Sequence, residues 1–235
     1  MRVSVDLRVQ PRTNPAGRAG SVRASAVAVI VDVLRSTTTL TVALDHGAAR
    51  VVPVATPAEG FALRTRAPNA LLCGERVGRR IEGFDLGNSP YEYEAAGVEG
   101  RDLIFASTNG SRALLAAASA RARILAAFVN LAAVVERLGG EREVAILCAG
   151  TSGEFALEDA ACAGLLVRRL CARGARPANA AAALAGTLAP EDAGEVRSIV
   201  HGCSHGRYLR SLGPEFVRDV ERCAQLDTLG RAFAV

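Results

Sequence analysis

The sequence contains no lysine and no tryptophan, a single methionine, and only three tyrosines and seven phenylalanines. All 28 basic residues are therefore arginine. Without lysine there is no Schiff-base amine and no P-loop lysine. With the heavy use of alanine, this looks like coding bias as much as chemistry. The cysteines at 73, 148, 162, 171, 203 and 223 form no CxxC pair, so the usual signature of a zinc or redox site is missing. Several lie in apolar runs, where a free thiol acts as a small hydrophobe. Long apolar runs are missing as well. Ala24–Leu34 stops at Arg35 and is too short to cross a bilayer. The N-terminal stretch sets Val3, Val5, Leu7 and Val9 against Ser4, Asp6 and Arg8, a strand alternation and not a signal peptide. The expected setting is reducing and cytoplasmic. No GxGxxG follows a strand, GxxxxGKS does not occur, and there is no GxSxG elbow, since the GxSxG run Gly202–Gly206 follows a helix-like segment and not a strand.

What is present is a globular composition. Half of the 235 residues are hydrophobic and 22% are charged, which excludes intrinsic disorder. A net charge of +4 does not indicate nucleic acid without clustering on one face. Apolar, β-branched runs at Arg2–Val9, Ala26–Val33, Ala49–Val54, Ala70–Cys73, Asp102–Ala106, Arg123–Ala126 and Glu143–Cys148 read as strands. Between them, Thr37–His46, Pro57–Arg66, Tyr91–Ala96, Ser111–Ala120, Leu131–Leu138 and Leu157–Arg173 read as helices. From Pro177 onward the chain reads as helix and turn only. The expectation is an α/β fold: three layers, α/β/α, with a mostly parallel, mixed sheet and a helical C-terminal part, forming one domain over residues 1–235. The amphipathic first strand is expected at an edge or in an antiparallel position, followed by a mobile loop, Pro11–Ser25.

Ligands of open α/β sheets bind beyond the carboxyl ends of strands. Polar clusters stand at four such ends: Asp32 to Thr39, Gly74–Arg76 with Glu82–Pro90, Ser107–Arg112, and Ala149–Gly153 with Glu158–Asp159. Each alone reads most simply as a helix N-cap. Together, hydroxyls, arginines and carboxylates at strand ends suit an anion held beside a hard cation such as Mg²⁺.

These residues carry a resemblance. VDVLRSTTTL (31–40), CGERVGRRIEGFDLGNSPYEY (73–93), STNGSRAL (107–114) and CAGTSGEFALEDAACAGLL (148–166) resemble the 2-phosphosulfolactate phosphatase, or ComB, family, with a weaker match over 205–227. Ser107 and Ser111 stand where the family's motif usually has threonine, and both keep the hydroxyl. The resemblance implies an α/β, Mg²⁺-dependent phosphatase. It would hydrolyse 2-phospho-3-sulfolactate to sulfolactate and phosphate, a step of coenzyme M synthesis.

Roles follow from residue type. Asp32 ends an apolar strand, so its carboxylate must be paired or metal-bound. It is assigned first as an Mg²⁺ ligand and second as phosphoryl nucleophile, with a salt bridge to Arg35 as the structural alternative. Glu75, Asp85 and Asp159 complete the expected metal set. Arg35 and Arg76 are the expected phosphate clamps and, with Asp32, the catalytic residues. Ser36, Thr37, Asn88, Ser89, Thr108, Asn109 and Gly110 are expected to bind substrate through hydroxyls, amides and backbone N–H groups. Asp85 also fits an Asx-turn. Cys148 lacks the following arginine of a cysteine phosphatase and is not assigned as nucleophile. His201, Cys203 and His205 are interrupted by Gly202 and Gly206 and read as a helix junction, not a zinc site. The expected partner is a small phosphorylated hydroxy acid, with no nucleic acid and no membrane; a homodimer is left open. The alternatives are a phosphatase for other 2-hydroxyacid phosphates, or an anion-binding module without catalysis.

Overall fold

Strand β2 (Val27–Val31) reads VAVIV and is buried along its whole length. Alternate side chains of a strand face opposite ways. Here Val27, Val29 and Val31 enter one core, while Ala28 and Ile30 enter another. A strand apolar on both faces belongs inside a parallel sheet with helices on each side. The computed structural model, which describes residues 1–8 and 22–235, has that arrangement. Val9 and residues 11–21 of the expected loop lie outside the described residues.

The other strands are β1 (Arg2–Asp6), β3 (Arg50–Pro53), β4 (Leu71–Arg76), β5 (Arg79–Arg80), β6 (Asp102–Ala106), β7 (Ala122–Ala126), β8 (Glu143–Cys148) and β9 (Arg176–Pro177). One sheet runs β7-β2-β8-β1-β9, all parallel. A second runs β3-β6-β4-β5 and is parallel except for the β4–β5 hairpin. The expected single mixed sheet is thus divided in two. Helix α1 (Ser36–Asp45) packs on β7, and α4 (Gly110–Ala116) touches both β2 and β3. The core on this side is shared: Ile30 of the first sheet and Leu103 and Phe105 of the second belong to it. The far side of the first sheet is covered by α5 (Leu131–Arg137), α6 (Leu157–Ala172), α7 (Ala180–Thr187), α8 (Ala193–Gly202), α9 (Ser204–Ser211) and α10 (Pro214–Cys223). Helix α2 (Pro57–Arg64) covers the far face of the second, and α3 (Pro90–Ala95) packs on α1.

Two expectations are corrected. Strand β1 is neither antiparallel nor outermost; it lies between β8 and the two-residue β9. Its amphipathic look has a cause: Val3 and Val5 enter the core on one face, no residue of β1 enters the core on the other, and the two-residue β9 pairs with only part of its outer edge. There Asn179 continues the ladder, accepting from Val5 N at 3.2 Å and donating to Val5 O at 2.9 Å. Pro177 is tolerated because it sits at this edge. Second, the segment from Pro177 is not helix and turn alone, since Pro177 is in β9 and Ala234 bridges to Ile124, with Val235 N donating to Arg123 O at 2.9 Å.

Gly74 lies in β4 at φ +138°, where a Cβ would fall 1.8 Å from Ala106 O on β6. Gly74→Ala is expected to lower stability by about 2 kcal/mol or more, a fall of ~4–8 °C in Tm for a domain of this size. Gly140→Ala, with nothing within 4 Å, is the control and should be near neutral. Equal melting temperatures for the two variants would refute this account of the β4–β6 approach.

Candidate active site

The C-terminal ends of β2, β4, β6 and β8 open on one cavity of about 480 Å³. Asp32, Arg35 and Ser36 enter it after β2; Glu75 and Arg76 close β4, and Val77 and Gly78 form the next turn. Thr108 and Asn109 follow β6, Thr151 and Ser152 follow β8, Asn88 precedes α3, and α9 supplies His205, Tyr208 and Leu209. Strands of both sheets therefore converge on one site, as the strand-end rule requires.

Asp32 lies at its floor, 4% exposed. Burial pushes its carboxyl up to about 6. A hydrogen bond from Ser36 and the nearby His205 oppose that rise, while Glu75 and Glu158 add to it. The surrounding chain is shaped to this group. Thr37 Oγ1 donates to Asp32 O at 2.9 Å and accepts from Asp32 N at 3.0 Å, bracing the loop. A Cβ on Gly110 would lie 2.6 Å from Asp32 Oδ2 and 2.5 Å from Ser36 Oγ, so only glycine can begin α4 there.

Glu75 accepts from Thr108 N at 2.7 Å and from Gly78 N at 2.9 Å, which ties β4 to the β6 loop. Arg76 is held by Glu75 O and Ala55 O at 2.8 and 3.2 Å. Arg35 is buried. Its guanidinium donates to Asp219 at 2.5 Å and to Gly78 O, and lies over the Phe216 ring. The salt bridge considered between Arg35 and Asp32 is therefore not the one formed. Ser89 also donates to Asp219, at 2.6 Å. Asn88 is buried in the cavity wall; Nδ2 reaches Ser36 Oγ at 3.5 Å and Oδ1 has no partner among the described residues.

Of the expected site residues, Asp32, Arg35, Ser36, Glu75, Arg76, Asn88, Thr108 and Asn109 meet in this cavity. Gly110 abuts its floor. Thr37 and Ser89 do not line it, because their hydroxyls serve Asp32's backbone and Asp219. Asp85 and Asp159, the other two expected metal ligands, do not line the cavity. Asp85 pairs with Arg64 at 2.7 Å and accepts from Leu72 N at 2.8 Å, outside the cavity. Asp159, fully buried behind Asp32, accepts from Val33 N at 2.8 Å and Gly150 N at 3.0 Å. Among the described residues no three His, Cys, Asp or Glu side chains form a metal cage. A hard cation still fits the donor chemistry, because Mg²⁺ takes one or two carboxylates and completes its shell with water or substrate oxygens. Asp32, Glu75 and the unpartnered Asn88 Oδ1 are oxygen donors in one cavity.

Reading the sequence missed Glu158, His205 and Asp219. The caps set apart the polar residues that were expected. Away from the cavity, Thr56, Asn179 and Asp192 cap their helices with their side chains. At α1, α3 and α4 the N-cap residues Arg35, Ser89 and Asn109 make no side-chain cap bond. Polar residues that stand at caps without capping are turned to other work. Cys148, not assigned as nucleophile, is fully buried, and burial pushes its thiol well up.

Residues 15–232 match a family model described as 2-phosphosulpholactate phosphatase. A Thermotoga petrophila protein named a probable 2-phosphosulfolactate phosphatase is 42% identical over 200 residues, 85% of each chain. Proteins of the same name from Symbiobacterium thermophilum and Clostridium perfringens are 42% and 34% identical, over 211 and 212 residues. These alignments span 88% of this chain and 89% and 85% of the relatives.

The carboxyl of Asp32 is raised in the fold from 3.8 to about 6, so its charge costs stability as pH rises across that window, and the cost is complete above it. In metal-free buffer at pH 8, Asp32→Asn is expected to raise Tm by at least ~2 °C. The gain should vanish below pH ~4, where both states hold the proton. A lower Tm at pH 8 would mean that the carboxylate is compensated within the fold.

Proposed function

The chain belongs to the 2-phosphosulfolactate phosphatase family, and on that footing we propose that it is a phosphoric monoester hydrolase that converts 2-phospho-3-sulfolactate to 3-sulfolactate and phosphate. One observation carries the reading: Arg35 and Arg76 line the same cavity as Asp32 and Glu75. Arginine forks match phosphate and sulfonate oxygens. Carboxylates would repel such a substrate unless a cation lay between them. The volume suits a small ligand.

Asp32 and Glu75, with Asn88 Oδ1, are the groups that would hold Mg²⁺. Its chemistry when bound is to neutralise charge on phosphoryl oxygens. The chain's own residues bind and orient. Arg35 is fixed by Asp219, Gly78 and Phe216, so little side-chain entropy remains to be lost when an anion arrives. Arg76, held by backbone carbonyls at the end of β4, is assigned to the second anion of the substrate. A remote anion gripped in this way supplies binding energy that aligns the phosphoryl group.

Phosphate release from 2-phosphosulfolactate should stop with EDTA and return with Mg²⁺; full activity in chelator would remove the metal from the account. Arg76→Ala should lower kcat/KM for 2-phosphosulfolactate and 2-phospholactate at least ~10-fold more than for ethyl phosphate. An equal penalty on all three would show that no second anion is read there.

A further inference from the structure

Building on the phosphatase reading, we propose that His205 is the proton donor to the departing ester oxygen. An alkyl phosphate leaves a strongly basic alkoxide, which needs a proton as the P–O bond breaks. Few cavity groups can give one. The arginines do not release protons. Both oxygens of Glu75 accept backbone N–H bonds, and Tyr208 already donates to Val77 O at 3.2 Å. Asp32 is at the floor, packed against the backbone of Gly110.

His205 is placed differently. It sits in the first turn of α9, whose N-terminus is capped by Cys203 Sγ accepting from Gly206 N at 3.2 Å. Its ring stacks on Tyr208 with centroids 6.3 Å apart. The Nδ1 edge is turned to the β8–α6 wall, 3.7 Å from Glu158 Oε1 and 3.4 Å from Thr151 Oγ1. A carboxylate at one ring nitrogen fixes the ring's orientation and leaves the other nitrogen for chemistry. Among the described residues Nε2 has no protein hydrogen-bond partner, and the residue lines the cavity. In the step, the ester P–O bond breaks and its electron pair goes to the ester oxygen. That oxygen takes the Nε2 proton of the imidazolium and leaves as the alcohol. The new P–O bond is to the oxygen of a water molecule, and the proton that water sheds restores the imidazolium through solvent. Glu158 is a positioning residue, acting through the ring.

The test is leaving-group dependence. Against 2-phospholactate, whose leaving group needs the proton, His205→Gln is expected to lower kcat/KM by ~10²–10³-fold. Against 4-nitrophenyl phosphate, whose leaving group departs without one, the fall should be much smaller, so the alkyl-to-aryl ratio drops at least ~30-fold. Glu158→Gln should move the ratio the same way by a smaller factor. An unchanged ratio in His205→Gln overturns the proposal. A graded series of esters with the wild-type enzyme gives a reading independent of any variant: a shallow dependence on leaving-group basicity is expected, and a steep one overturns the proposal. Wild-type enzyme that releases phosphate from no ester would overturn the phosphatase reading itself.

Discussion

A carboxylate at the end of a fully apolar strand sets the terms for the rest of this site. Asp32 follows five buried residues of β2, and among the described residues it forms no salt bridge. The nearest guanidinium in sequence, Arg35, is taken by Asp219 instead. What surrounds Asp32 is one hydroxyl, one imidazole and further acids. Such a group is costly to keep charged, and folds tolerate that cost where function needs it. The cavity therefore has a negative floor and a positive wall, suited to a cation and an anion bound together.

The helical C-terminal part is what holds the positive wall in place. Asp219 on α10 takes hydrogen bonds from both Arg35 and Ser89, joining α10 to the loop after β2 and to the start of α3. Phe216, one turn earlier, lies under the guanidinium. Helix α9 adds His205 and Tyr208 to the rim. The strands supply the acids, and the late helices orient the base-bearing side chains.

Much of this could be read from the residues. Near-continuous apolar strands fixed the layer order, because a strand without a polar face must be covered twice. The polar clusters at strand ends located the cavity. The sequence does not show which neighbour of a pair points inward. Glu158 and Asp159 are adjacent in the first turn of α6, roughly 100° apart around the axis. One faces His205, the other the backbone of Val33 and Gly150. Asp85 sits in the most distinctive motif, yet its carboxylate closes the loop onto Leu72 and Arg64. His205 and Asp219 lie on helices far along the chain, and no local pattern links them to strand ends they meet only in the fold. Two-residue strands such as β5 and β9 have no periodicity to detect.

The proposed chemistry lies where Asp32 and Glu75 share a cavity with the arginines, not at the GFDLGNSP loop that carries Asp85. Turnover of 2-phosphosulfolactate by two isosteric variants decides it. Asp32→Asn is expected to lose at least ~10²-fold in kcat, while Asp85→Asn, assayed well below its melting temperature, keeps most of its turnover. A folded Asp32→Asn enzyme with near wild-type kcat, or an Asp85→Asn enzyme that is folded and inactive, would contradict the account.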